Sequence, residues 1–403
     1  MKKNKKTAKE LILRMQTQAT QLYTRPFLLL CSSHVLFAGS FNMIIPELPN
    51  YLTSLGGADY KGMIIFLFTL AAGLSRPFSG KLSDTIGRVP VMIVGTLVCV
   101  VCSLLYPLIS GVAGFLLLRF FHGFSTGFKP TASTAFAADI VPVKRRGEAM
   151  GILGVSMNLG ATMFPPVGSF LTMTYSLDAM FYVSSAIALI SIILLLGLPE
   201  TLKDKVPFSP KLLKIRRKEI IEPSAIAPAV VISMVYFGFG VILTIVPDQS
   251  EYVGMANKGM FFTSLTFFSI LSRLVAGKIS DRVGRVPQIR VSIVMIAFSL
   301  VIMGLANTPL LLMIGAGAFG FSAGVASPAV FAWVIDRSAD DRRGRAMATA
   351  YIALEIGIGM GAITSAWVYG NDYANFDSAF FLSAAITMLG LVYLWWWRKY
   401  RLS

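Results

Sequence analysis

Charged side chains are scarce in this chain: they make up 14% of 403 residues, against 55% hydrophobic ones. That balance excludes a soluble globule of ordinary composition. Histidine is scarcer still, with only His34 and His122, and no H-E-x-x-H pair occurs. The sequence also has no G-x-S-x-G elbow and no P-loop of the form G-x-x-x-x-G-K-[ST]. Hydrolase chemistry of those kinds and a self-contained ATP-driven pump are therefore not expected. Three cysteines, Cys31, Cys99 and Cys102, lie within apolar runs without metal-ligand spacing and read as packing residues. No metal and no cofactor is expected.

What the chain has in abundance is long apolar runs. A helix needs about 20 apolar residues to cross a roughly 30 Å hydrocarbon layer. Runs of that length recur twelve times, over 27–46, 60–79, 90–109, 113–138, 148–173, 178–198, 225–246, 257–277, 288–306, 309–335, 345–369 and 377–397. The expected class is an all-α integral membrane protein with twelve transmembrane helices. The longest polar interruption, 200–223, divides it into bundles at 27–199 and 224–397, with tails at 1–26 and 398–403.

Basic residues outnumber acidic ones, 36 to 20, for a net charge of +16. They cluster at Lys2–Lys9, Lys81/Arg88, Lys144–Arg146, Lys203–Lys218, Lys278–Arg290, Arg337–Arg345 and Arg398–Arg401, all on one side of the expected topology. Only Lys61 and Lys258 fall on the other side. The positive-inside rule then places both termini and the central loop in the cytoplasm, where basic loops meet anionic headgroups of the lipid bilayer. Nucleic acid is not an expected partner.

The chain is built twice. GKLSDTIGRVP at 80–90 returns as GKISDRVGRVP at 277–287, an offset of 197 residues. The same offset aligns Leu74-Ser75-Arg76 with Leu271-Ser272-Arg273, Gly123-Phe124-Ser125 with Gly320-Phe321-Ser322, Asp139 with Asp336, and Arg145-Arg146-Gly147 with Arg342-Arg343-Gly344. Two halves descended from one unit, related by an axis along the membrane normal, give this pattern, and transporters are commonly built so.

The loop Gly80-Lys81-Leu82-Ser83-Asp84-Thr85-Ile86-Gly87-Arg88 resembles the signature of the major facilitator superfamily. Arg119-Phe-Phe-His122-Gly123 resembles its second motif, and Leu198-Pro199-Glu200-Thr201 its exit from span 6. Together these motifs resemble the drug:proton antiporter branch. Phe164-Pro165-Pro166-Val167-Gly168-Ser169 departs from that branch, which has Gly-Pro-x-x-Gly-Gly at the end of span 5. The resemblance implies two six-helix bundles related by pseudo-two-fold symmetry, rocking about a midplane site. It also implies a small-molecule substrate, protons as the coupling ion, a bacterial inner or plasma membrane, and action as a monomer. Proton-coupled efflux is the first expectation; uptake of an anionic nutrient and a non-transporting receptor or scaffold are the alternatives.

Residues bearing on mechanism follow. Gly80 and Gly277 allow close helix approach, and Gly87 and Gly284 supply positive-φ backbone where the chain reverses. Asp84 and Asp281, with Arg88 and Arg285 and their expected partners Asp139 and Asp336, form either a breakable gate or a static staple. Glu355 is the acid near the middle of a span, with Asn158 as its repeat equivalent. It is expected to carry the coupling proton, to hold helices together, or to touch substrate. At about 100° per residue, Arg119, His122 and Lys129 share one helix face. They read as a cavity-lining strip that meets an anionic group or pairs with Glu355 and Glu47; the alternative for Lys129 is a snorkelling side chain. Glu47 after Pro46 and Asp248 after Pro247 read as outer-rim acids, His34 as a core histidine, and Asn42, Tyr236, Phe239 and Trp333 as further cavity contacts.

Overall fold

A computed structural model describes residues 22–142, 145–215, 221–339 and 342–401, with the backbone alone at 147, 274–282, 343 and 398–401. Among these residues twelve long helices follow one another: α1 Arg25–Ile44, α2 Lys61–Ser83, α3 Arg88–Leu105, α4 Val112–Ile140, α5 Arg146–Thr174 and α6 Leu177–Leu196, then α7 Ile226–Tyr252, α8 Gly259–Val283, α9 Arg285–Gly304, α10 Pro309–Asp336, α11 Arg343–Tyr369 and α12 Phe376–Arg401. Nine are long and apolar enough to cross a membrane by length and composition. The other three, α4, α5 and α8, pack lengthwise against members of that nine.

Local sequence sets the boundaries. Pro26 opens α1, where a missing N–H costs nothing. Thr308 caps α10 by accepting from Leu311 N at 3.3 Å, ahead of Pro309. Gly87 and Gly284 sit at φ +125° and +95°, immediately before α3 and α9, a conformation a side chain resists. Internal prolines, among them Pro77, Pro130, Pro165 and Pro166, are accommodated because neighbouring helices shield the freed carbonyls.

The packing is duplicated. In the first half α1 lies on α5 and α6, α2 on α4, and α3 on α4 and α6; in the second α7 lies on α11 and α12, α8 on α10, and α9 on α10 and α12. Small residues set the closest approaches in lipid, where apolar burial drives little association. A Cβ on Gly123 would lie 2.1 Å from the Phe68 carbonyl oxygen, and one on its counterpart Gly320 would lie 1.8 Å from that of Leu265, so both α2/α4 and α8/α10 depend on glycine.

Two seams join the halves, α2 against α11 and α5 against α8. They match in register. Gly62 meets Ala362 and Ala366, while Gly259, at the same repeat position, meets Pro165 and donates its N–H to Ser169 Oγ at 3.2 Å. The segment between α6 and α7, where described, lies along the first half: Val206 N donates to Thr85 O at 3.0 Å and Lys81 Nζ to Lys214 O at 2.6 Å. We call the end bearing this segment the linker end and the opposite end the distal end.

Candidate functional site

The distal end is tied shut across the halves. Lys61 of α2 forms a buried ion pair with Asp248 of α7, and Asn50 donates to Glu251 at 2.9 Å, which also accepts from Lys258 at 2.6 Å. Asn257 Nδ2 reaches Pro166 O at 3.0 Å, and Thr263 Oγ1 reaches Thr162 O at 2.7 Å. An apolar cluster containing Leu48, Leu52, Phe115 and Phe181 continues through Ile358, Ala362 and Phe239 of the second half. Glu47 accepts from Ser169 Oγ at 2.6 Å, and Ser169 in turn meets Gly259, so both rim acids belong to this closure. The lysines that mark the distal side in sequence are thus two of its fasteners.

The linker end is different. No hydrogen bond or ion pair between the helices of the two halves occurs there among the described residues. A Cβ on Gly80, Gly151, Gly154 or Gly344 would meet nothing within 4 Å. The close approach expected at Gly80 is therefore absent in this arrangement, because α2 stands away from its neighbours there. Gly277 and the Asp281 side chain lie outside the described side chains.

Between the closed and open ends lies one charged bridge. Arg76 of α2 donates an Nη2–H to Glu355 Oε1 of α11 at 2.7 Å, and its guanidinium lies 4.6 Å from the Tyr351 ring centroid. Glu355 is 8% exposed, and Gly73, one turn away on α2, gives it room: a Cβ there would touch Glu355 Cβ at 3.5 Å. Tyr351 packs on Phe331 at 5.2 Å and lies within electrostatic reach of Arg76, Arg273, Tyr236 and Glu355. Tyr236 OH donates to Ser327 Oγ at 3.2 Å. This cluster draws on α2, α7, α8, α10 and α11.

The structure pairs Glu355 with Arg76 and not with the basic strip of α4. Arg119, His122 and Lys129 do share a face, but that face is turned into the interior of the first bundle. Arg119 donates to Ile64 O at 3.1 Å and Tyr106 OH at 3.2 Å and lies 4.6 Å from the Phe68 ring centroid. His122 sits between Cys99 Sγ at 3.2 Å and Tyr106 OH at 3.3 Å. Lys129, fully buried, donates to Ser33 O, Ser33 Oγ and Ser191 Oγ at 2.9, 2.8 and 2.6 Å. It neither snorkels nor lines the cleft. His34 is buried in the same bundle.

Other expected contacts are also reassigned by position. Asn42 spends its amide on Ala38 O of its own helix at 2.8 Å. Trp333 packs edge-to-face on Trp397 at 5.1 Å within the second bundle, away from the cleft. Phe239 stacks on Phe319 at 6.4 Å and contributes to the distal apolar cluster. Phe321 lines an apolar groove among α8, α9 and α10, whose wall residues Phe298 and Ile314 are exposed on the outer surface. Of the expected cavity residues, Tyr236 and Glu355 are brought together; Arg76 was visible in the sequence only as one member of an aligned triplet.

At the linker end the signature loops form charged knots. Arg88 reaches Asp84 Oδ1 at 2.5 Å, Asp139 Oδ2 at 3.1 Å and Ser83 O at 2.7 Å. Glu200 caps α3, accepting from Arg88 N and Val89 N at 3.0 Å each, so the exit from α6 is fastened to a helix N-terminus. In the second half Arg285 Nε reaches Asp336 Oδ2 at 3.2 Å.

The family profile of the Major Facilitator Superfamily matches residues 30–256 and again 228–403. The chain belongs to the major facilitator superfamily. It is 24% identical over 377 residues to the multidrug resistance protein MdtG of Escherichia coli, covering 89% of this chain and 91% of that one. Its fold is similar to that of the human organic anion transporter MFSD10, at TM-score 0.70 and 19% identity over 92% of this chain and 99% of that one. It is also similar to a D-xylose-proton symporter, at TM-score 0.76 and 15% identity over 92% and 97%. Membership of this superfamily makes the chain a multi-pass membrane protein of two six-helix bundles and points to transport of a small molecule rather than to enzymatic turnover.

Proposed function

We propose that this major facilitator chain moves a small organic molecule by alternating access, coupled to protons through Glu355, with efflux as the direction. The observation that carries the proposal is the Arg76–Glu355 bridge, a buried ion pair between the two halves, flanked by a fastened distal end and an open linker end. A mid-membrane charge costs at least about 2.5–3.5 kcal/mol, so those that persist tend to serve the transport path. A proton on Glu355 removes the charge that holds Arg76, loosening α2 from α11 at the point where the halves pivot. With the linker end taken as cytoplasmic, the arrangement is the inward-open one, and the Asp84/Arg88/Asp139 and Arg285/Asp336 knots lie on the face that closes in the opposite state.

Efflux is supported by the MdtG likeness and by the signature loops. A second reading, movement of an anion, is favoured by the charge around Tyr351, where Arg76 and Arg273 act alongside the single carboxylate of Glu355, which Arg76 already engages. Inverted vesicles carrying a pH-sensitive dye, challenged with cationic, neutral and anionic compounds, test both. Proton release from the lumen on addition of a compound supports proton-coupled efflux. Compound-driven flux with no proton movement, or with full proton coupling in Glu355→Gln, removes the coupling role.

A further inference from the structure

The 197-residue offset that relates the halves also relates their seams. It carries Arg76 onto Arg273 and Asn158 onto Glu355. The register of α5 against α8 repeats that of α2 against α11: Gly62/Ala362 corresponds to Gly259/Pro165, and Phe66/Gly359 to Thr263/Thr162, the latter joined by a 2.7 Å hydrogen bond. Arg273 therefore stands to Asn158 as Arg76 stands to Glu355. One seam is a guanidinium with a carboxylate; the other is a guanidinium with an amide.

An amide cannot neutralise a guanidinium, and among the described residues no ion pair of Arg273 matches the one Arg76 makes. Arg273 Nε and Asn158 Nδ2 are both buried nitrogens with no hydrogen-bond partner, and Arg76 Nε is a third, so the seams differ in the carboxylate and not in the Nε. The two at this seam are donors, and the amide oxygen of Asn158 is an uncharged acceptor, so what the seam lacks is an anionic one. Leaving such donors desolvated and unpaired is costly. Arg76 has a carboxylate on its Nη2. Glu355 is engaged there, and Arg273 has no acid among the described residues, though it lies close enough to Tyr351 to act on it electrostatically.

We infer that Arg273, backed by Asn158, recognises a carboxylate on the transported molecule, which takes at the α5/α8 seam the place that Glu355 holds at the α2/α11 seam. A carboxylate is acceptor-only, with two oxygens, and suits a planar guanidinium donor beside an amide donor. The neighbouring surface is aromatic, with Tyr351 packed on Phe331 and Tyr236 close by, so the remainder of the ligand is an aryl or amphiphilic group. Symmetry then has a chemical purpose: the bound substrate completes the second ion pair and makes the two seams equivalent. This inference rests on the reading of the central cleft as a transport site.

The test uses the purified full chain and a matched set of probes: 2-naphthoate, 2-naphthamide and 2-naphthyl phosphate, with affinity read from ligand-induced shifts in Tm. Naphthoate is expected to bind and naphthamide not to. Arg273→Gln is expected to weaken naphthoate roughly 10- to 100-fold, the range of a hydrogen bond to a charged group, while Arg273→Lys recovers part of it. Asn158→Glu, which builds the missing carboxylate into the chain, is expected to raise Tm without ligand and abolish the naphthoate response.

Equal binding of naphthamide, unchanged affinity in Arg273→Gln, no naphthoate response in the wild type, or a lowered Tm in Asn158→Glu each overturns the inference. Tighter binding of the phosphate than of naphthoate overturns the carboxylate assignment. Proton flux through wild-type vesicles is measured separately. Naphthoate binding without any flux sinks the transport reading and leaves the anion site standing; flux without naphthoate binding does the reverse.

Discussion

The two seams between the bundles have one register and opposite electrostatics. At α2/α11 the charges of Arg76 and Glu355 are matched at 2.7 Å; at α5/α8 the repeat offset sets Arg273 against Asn158, an amide where the first seam has a carboxylate. Because the backbone register is shared, the contrast is attributable to the side chain at one repeat position, glutamate in one half and asparagine in the other. A doubled fold supplies two seams of one register, and the residue at a single repeat position decides whether the arginine there meets a carboxylate or an amide.

The contrast can be broken most severely at its matched side. Arg76→Met leaves Glu355 buried without a cation, and removal of one member of a buried pair costs about 3–5 kcal/mol. A large loss of Tm is expected, with recovery in Arg76→Met/Glu355→Leu; equal Tm in the single and double variants would show that the bridge holds little. Lys61→Ala strips Asp248 of its partner at the distal closure, at a cost of the same order. It is expected to raise labelling of cysteines placed beside Asn50, as the distal end spends more time open, and unchanged labelling would remove the fastener role.

Smaller effects separate the two glycines of the signature loop. Gly87 holds φ +125° and a Cβ there would run into Glu200, so Gly87→Ala should cost about 1–3 kcal/mol of stability. Gly80 meets open space, so Gly80→Leu should leave Tm unchanged while slowing transport, because the bulk obstructs the approach needed to close the linker end. A Gly80→Leu protein with wild-type flux would show that the linker end never closes over that position.

The smallest effect is at the linker itself. Burial pushes the Glu222 carboxyl up, but its hydrogen bonds from Arg345 and the charge of that residue outweigh burial and hold it below the usual carboxylate range. A depressed folded-state pKa gives stability that is present above the unfolded value of about 4.3 and is lost as pH falls through the folded one. The wild-type Tm should therefore fall more steeply than that of Glu222→Gln below pH of about 4. Parallel curves would deny Glu222 a part in fastening the linker to α11.

Much of the fold was legible from the repeat. The offset located both glycine turns, the Arg88/Asp139 and Arg285/Asp336 pairs, and Glu355 with its counterpart Asn158. The strip of Arg119, His122 and Lys129 was legible as a face but not as a direction. Helix α4 is covered by α2 and α3, so periodicity along it does not say which neighbour the polar stripe meets. Hydroxyl and carbonyl oxygens from Ser33, Ser191, Tyr106 and Ile64 drew it into the bundle, and those partners are 13 to 96 residues away in sequence. Arg76 and Arg273 were available as a matched pair, and Glu355 and Asn158 as another. Crossing the two pairs was the missing step, and only the register of the seams supplies it.

The central claim is that protonation of Glu355 and rocking of the halves are one equilibrium. Spin labels on Gly151→Cys and Gly344→Cys, positions with open space around them in opposite halves, report the linker-end gap by pulsed dipolar distance measurement. The account predicts wide and narrow populations whose ratio changes with pH in the wild-type background and becomes pH-independent in Glu355→Gln. A pH response that survives unchanged in Glu355→Gln would contradict it.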